Sequence, residues 1–269
     1  MTETISAELR QVLRALKLSG LTDTLPERLA LAAQTKLAYQ EFLAVVLLDE
    51  VDRRDRVGAT SRARAARLDP TMVLEDFDET TEAVFDRQLW AELCTLRFID
   101  DAHDLVIEGP VGVGKTFLAN ALGHIAVRRR YSVVMVRADQ ALKRLRASRL
   151  DNTHDSELRR LIRPDLLVID DFCLQAMDGA DTSDVYDLIV ERHRRGSIVV
   201  TTNRQPPAEW LAAMADPLLA QSAIDRLLSN SYELVVEGPS YRGRQRPGRP
   251  AGDGPPPPQP GRRRRGRQS

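Results

Sequence analysis

Lysine is scarce in this chain: its 39 basic residues are 35 arginines and only four lysines. Cysteine is scarcer still. Cys94 and Cys173 form no C-x-x-C pair, and His103, His124, His154 and His193 have no ligand spacing, so both cysteines read as ordinary thiols and no zinc site is expected. No apolar run approaches the ~20 residues of a membrane span. The N-terminus, with Glu3 and Glu8, lacks the basic and apolar regions of a signal peptide. These absences predict a cytoplasmic protein with no membrane partner. At 269 residues, 42% hydrophobic and 29% charged, the chain has the composition of a soluble globular protein with room for one large domain or two modest ones.

The formal net charge of zero hides an asymmetry. Tyr241 to Ser269 holds nine arginines and one acid, Asp253, so this end carries +8 and residues 1–240 carry −8. Beyond Gly238 there are eight prolines and six glycines among thirty-one residues, including Pro255 to Pro258, followed by Arg262 to Arg265. Such material buries too little apolar surface to offset its ordering entropy, and residues 239–269 are expected to be a disordered tail.

Against the shortage of lysine, position 115 stands out. Gly109-Pro110-Val111-Gly112-Val113-Gly114-Lys115-Thr116 fits G-x-x-x-x-G-K-[ST], a loop whose backbone N–H groups wrap phosphates. Its lysine reaches the β/γ oxygens and its threonine hydroxyl ligates Mg²⁺. A compact charge on a flexible stem suits that task better than the planar arginine fork this composition prefers. Leu105-Val106-Ile107 ahead of it reads as a buried strand. Phe117 to Leu122 behind it reads as a helix whose N-terminus faces the anion. Residues 109–117 are therefore the expected nucleotide cradle, for ATP with Mg²⁺.

Residues 1–70 read as a helical domain. Leu9, Val12, Leu13 and Leu16 make one amphipathic stripe with Gly20 as its stop, and Leu21, Leu25, Leu29 and Ala32 make a second, with Pro26 in the first turn. Leu37, Phe42, Val45, Val46, Leu48 and Val51 make a third. Six arginines then fall between residues 53 and 67, either a solvated face beside Asp49, Glu50, Asp52 and Asp55 or a DNA contact through Arg62, Arg64 and Arg67. Residues 71–103 form a connector with helix through Leu89, Leu93, Leu96 and Ile99. Residues 104–238 alternate strands (133–136, 166–169, 198–202, 234–236) with helices (138–148, 157–162, 185–194, 210–214, 220–228). That order predicts an α/β fold, a parallel sheet flanked by helices with ligands at the carboxyl ends of its strands.

Leu166-Leu167-Val168-Ile169-Asp170-Asp171 supplies the second half of a phosphate site. Asp170 ends an apolar strand where it would orient the metal held by Thr116, and Asp171 would polarise the attacking water as general base. Asn203, after Thr201-Thr202, is assigned to hold that water beside the γ-phosphate. Arg226, on an amphipathic helix, would reach a neighbouring subunit's γ-phosphate; a surface pair with Asp225 is the competing reading.

These blocks, with Leu74-Glu75-Asp76-Phe77-Asp78, Asp225-Arg226-Leu227, Ser240-Tyr241-Arg242 and the opening Leu13 to Leu21, follow an order that resembles the IstB-like ATP-binding proteins. Those are helper ATPases of bacterial insertion sequences, related to the DnaC helicase loaders within the AAA+ class of P-loop NTPases. The resemblance implies an ATPase that oligomerises on double-stranded DNA and directs a transposase encoded by the same element. A helicase loader acting on single strands, and a nucleotide-gated switch with little hydrolysis, stand as alternatives. A small-molecule phosphotransferase is disfavoured, because no arginine-rich lid is apparent. Departures from the family pattern are Val111 and Val113 in the loop, Phe117 after it, and Cys173 where glycine is usual. Asp171 is also one methylene shorter than the glutamate base of motor-type ATPases.

Overall fold

A computed structural model describes residues 5–76 and 83–241. Phe77, Asp78 and Arg242, and with Arg242 nearly all of the tail expected to be disordered, lie outside the described residues.

Helix α1 (Ala7–Ala15) starts at Ser6, whose hydroxyl accepts the Leu9 N–H at 3.2 Å. It stops earlier than the sequence suggests: Lys17 takes the left-handed conformation (φ 57°), and Gly20 instead caps the start of α2 (Leu21–Thr35). A Cβ at position 20 would come within 2.0 Å of Arg53 Nε, so any larger residue there displaces the Arg53 side chain. Pro26 is the sixth residue of α2, not in its first turn, so the Thr22 carbonyl loses its i+4 donor.

The third stripe and the arginine-rich stretch are one helix, α3 (Tyr39–Ala66), of 28 residues. Its first half buries Val46 against Ile5, Leu13, Leu21 and Leu25. Buried Glu50 accepts from Arg53 Nε at 2.7 Å and Arg54 Nε at 2.8 Å, while Arg54 Nη2 reaches Lys17 O at 2.9 Å and Arg28 pairs with Asp49. The guanidinium of Arg53 holds the Glu50 carboxyl down at about 2. The second half leaves that cluster and joins the main core through Ala63 and Ala66.

After a 3₁₀ turn (Leu74–Asp76), α4 (Arg87–Cys94) is divided from α5 (Arg97–Asp100) by Leu96 at φ 64°. Then β1 (Asp104–Glu108), α6 (Lys115–Arg128), β2 (Val133–Arg137), α7 (Ala138–Ser148), α8 (His154–Ile162), β3 (Leu166–Asp170) and α9 (Gly179–Arg192) follow. The chain continues through β4 (Ser197–Thr202), α10 (Ala208–Ala213), α11 (Pro217–Ser229) and β5 (Ser231–Val235). The strands form one parallel sheet in the order β2-β3-β4-β1-β5. This is the α/β architecture expected from the sequence, a parallel sheet flanked by helices behind a helical N-terminal region. Strand alternation divides the core: Leu105, Ile107, Leu166, Val168 and Val199 pack under α6. Val106, Leu167, Ile169, Ile198 and Val200 pack under α7, α9 and α11.

At the amino ends of the strands sits a buried polar floor. Arg192 donates from Nη1 to Ile162 O at 2.7 Å and from Nη2 to Ser197 O at 2.6 Å, and Asp104 Oδ1 accepts the Ile198 N–H at 2.7 Å. Burial pushes the Asp104 carboxyl up to about 7.

Candidate functional site

The phosphate-loop sequence leaves β1 and enters α6 through three glycines in conformations closed to other residues, Gly109 at φ 146°, Gly112 at 88° and Gly114 at 104°. Two of them are also pressed from outside. A Cβ on Gly109 would lie 2.0 Å from Val236 O, and one on Gly112 would lie 2.2 Å from Ser240 Oγ. The Tyr241 N–H donates to Gly112 O at 2.9 Å, so the segment after β5 straps the loop from above. Val113 is buried in the core, Val111 stands exposed, and Phe117 packs half-buried against the α6 side. Thus residues 109–117 form one continuous turn around the α6 N-terminus, where unpaired N–H groups and the helix dipole favour an anion. Buried Lys115 donates from Nζ to Gly109 O at 2.8 Å and Pro110 O at 2.7 Å, its charge held inside the turn.

Asp170 reaches this turn because of strand parity. Leu166, Val168 and Asp170 point to the α6 face, and Thr116 Oγ1 donates to Asp170 Oδ1 at 2.9 Å. The two expected metal ligands are therefore side by side, although β1 and β3 are not neighbours. Strand β4 runs between them, and its Thr201, of the same parity, closes the gap. Thr201 Oγ1 donates to Asp170 Oδ1 at 2.6 Å and accepts the Asp171 N–H at 3.0 Å. One hydroxyl thus fixes both halves of the acidic pair. The sequence alone assigns Thr201 no role; its parity with Val199 gives its face, and the place of β4 between β1 and β3 gives its partners.

Asp171 leaves β3 in the left-handed region (φ 57°) and borders a small hollow with Arg137, Lys143 and Arg146. Cys173, where glycine is usual, also takes a left-handed φ of 55°, and its buried thiol is pushed up to about 12. Asn203 is exposed just beyond β4, whose Thr202 pairs with Glu108 at the root of the loop. Thr202 itself is turned inward, accepting from Trp210 Nε1 at 3.3 Å and the Arg204 N–H at 3.1 Å.

Arg226 is not among these groups. It lies near the C-terminal end of α11 and donates from Nη1 to Ser222 O at 2.8 Å, its guanidinium 6.0 Å from the Tyr186 ring. Nearby Asn230 accepts the Asp104 N–H at the amino end of β1, whereas the phosphate loop leaves the carboxyl end. Arg226 and Lys115 therefore stand at opposite ends of the sheet.

The oxygens of Thr116 and Asp170 suit a hard cation. Among the described residues no group of three or more His, Cys, Asp or Glu gathers to cage a metal. An ion here would complete its shell from phosphates and water, as Mg²⁺ does. No helix among the described residues is long and apolar enough to cross a membrane.

Residues 11–248 match the family described as IstB-like ATP binding protein. A Mycobacterium tuberculosis protein described as an ATP-binding protein in an insertion sequence is 36% identical over 90% of this chain and 96% of its own. A Pseudomonas aeruginosa protein of insertion sequence IS21, also described as ATP-binding, is 34% identical over 87% of this chain and 88% of its own. Among solved structures, DnaI superposes with a TM-score of 0.51 at 20% identity, covering 62% of this chain and 89% of that one. AMPPCP-bound DnaA from Aquifex aeolicus gives 0.50 at 22%, covering 62% of this chain and half of its own. Both likenesses speak to the fold.

Proposed function

Because the chain belongs to the IstB-like ATP-binding proteins of insertion sequences, we propose that it is a Mg²⁺-dependent ATPase that assembles on double-stranded DNA and directs a transposase. The observation that carries the catalytic half is the Thr116–Asp170–Thr201 hydrogen-bond chain beside the phosphate loop. ATP binding requires only the loop. A carboxylate held against the Thr116 hydroxyl is what a metal-dependent hydrolysis adds. The ion would be held by Thr116 and Asp170 and would supply neutralisation of the charge that develops on the phosphate oxygens.

The chain's own residues perform the rest. The loop N–H groups and the α6 N-terminus hold the phosphates. Lys115 exchanges the Gly109 and Pro110 carbonyls for β/γ oxygens. Asp171 takes the proton of the attacking water and Asn203 holds that water in line, as the γ-phosphorus to bridging-oxygen bond breaks and the new phosphorus–oxygen bond forms. Arg226 completes the site of a second copy, a role supported by its distance from its own loop. Such an arginine is worth roughly 10³ to 10⁵ in rate where it exists. Under this reading residues 1–70 and 104–238 act as two units joined by the connector of residues 71–103.

Steady-state phosphate release with and without long duplex DNA, at two salt concentrations and with or without EDTA, tests the proposal. Duplex stimulation that fades with salt and vanishes with EDTA is expected. Stronger stimulation by single strands would move the function to a helicase loader, and tight ATP binding with no turnover to a switch.

A further inference from the structure

Most arginines of the described residues are tied down. Arg28, Arg53, Arg54, Arg128, Arg130, Arg146 and Arg149 pair with carboxylates, and Arg192 is spent on carbonyls. Arg62, one of three arginines the sequence offered for DNA contact, donates to Val127 O at 2.9 Å and so joins α3 to α6. A different group is left over. Arg64 and Arg67 line a groove of about 1000 Å³ between α3 and α6, floored by Ala59, Ala63 and Leu68. Arg163 lines a second hollow of about 470 Å³ under the amino ends of β2 and β3, with Ser132, Ser156, Arg159 and Arg160. Arg67 lies between the two hollows: burial and the like charges of Arg144 on α7 and Arg160 on α8 lower its pKa, against an opposing pull from Glu157. Glu157 itself is hydrogen-bonded to Arg160 at 2.8 Å.

We propose that Arg64, Arg67, Arg144 and Arg163 form a track for the phosphate backbone of duplex DNA, crossing from the α3–α6 groove to the hollow below β2 and β3. The inference rests on the DNA reading above and says where the duplex lies. Guanidinium groups without carboxylate partners, spread over three helices and their C-caps, match a ligand with regularly repeated charge better than one compact anion. Neither hollow is lined by Phe, Tyr or Trp, and His124, which lines the first, is engaged with Asp69 O at 2.8 Å, so the stacking platforms that single-strand binders use are missing from its walls. Asp52 and Asp55 line the first hollow and Glu157 the second, with Asp55 paired to Arg130 and Glu157 to Arg160; the Ala, Ser, Thr and Pro among the arginines, with no Asn or Gln, offer backbone contact and little base reading. The track therefore binds without sequence preference, and it lies away from the phosphate loop.

The test compares the full-length protein with a variant carrying Arg64→Gln, Arg67→Gln, Arg144→Gln and Arg163→Gln. A control variant carries Arg10→Gln, Arg14→Gln, Arg194→Gln and Arg195→Gln, which removes the same charge elsewhere. Duplex affinity is measured across a salt series with ATP present, and fluorescent-ATP binding confirms that each variant is folded. The track variant is expected to bind ATP normally while its log–log salt slope for duplex falls by about 3 to 4, each lost phosphate contact removing about 0.9. The control is expected to keep most of the wild-type slope. Wild-type slope in the track variant, or an equal fall in the control, overturns the track and leaves the DNA reading standing. No duplex binding by the wild type overturns both. Single strands bound more tightly than duplex, or polyglutamate displacing duplex charge for charge, would reassign the surface to another partner and equally overturn it.

Discussion

At the scale of single residues, the site depends on a threonine whose hydroxyl never needs to touch the nucleotide. Thr201 holds Asp170 by its proton and Asp171 by its lone pair. Thr201→Val keeps the shape and deletes both bonds. ATP binding should stay within a few-fold of wild type while hydrolysis falls roughly 10- to 100-fold and needs more Mg²⁺, the scale of an outer-shell change; titrating Mg²⁺ in a turnover assay checks this. Lys115→Ala should abolish nucleotide binding outright, measured by fluorescent-ATP titration. Asp104 offers a pH test. Its carboxyl sits near 7 when folded against about 4 when unfolded, so the folded state binds the extra proton between those values. Stability should therefore fall as pH rises from 4 to 7. Asp104→Asn, which keeps the acceptor for Ile198 N–H, should remove that fall and raise stability at pH 8 by on the order of 3 kcal/mol. Denaturant unfolding at pH 5 and pH 8 reads it directly.

Elements show where the sequence was legible. The apolar quartets 133–136 and 166–169 announced β2 and β3, and the loop motif fixed β1 and α6, because buried parallel strands and a phosphate turn have few alternatives. Helix α9 begins at Gly179 rather than near Val185 because Asp178 caps it, accepting the Asp181 N–H at 2.8 Å, a signal lost in a run of Gly, Ala and Asp. The long α3 was read as an apolar stripe followed by a charged stretch. Its second half packs through Ala63 and Ala66, residues too small to register as a stripe. Gly20 was read as a helix stop; its role is to admit Arg53, a contact between α3 and the turn before α2. Gly20→Ala should accordingly lower the melting temperature, and the loss should shrink when Arg53→Ala is added, since the clash is with that side chain. Additive losses in the double-mutant cycle would place the strain elsewhere. Thr201 was illegible for another reason: β4 lies between β1 and β3 only in the folded sheet, and chain order does not disclose that neighbourhood.

For the whole molecule, the site residues assemble at one end of the sheet and Arg226 stands at the other. Under the proposed function, a ring or filament of head-to-tail copies would reconcile these, each copy lending Arg226 to the loop of its neighbour. The measurement that tests this most directly mixes Lys115→Ala with Arg226→Ala and follows duplex-stimulated ATP hydrolysis. Each variant alone should be inactive, the first for want of nucleotide and the second with binding intact. In a random equimolar mixture about a quarter of the sites combine an intact loop with an intact neighbouring arginine, and turnover should return on that order. Full activity of Arg226→Ala by itself, or a mixture as silent as its components, would contradict a site shared between copies.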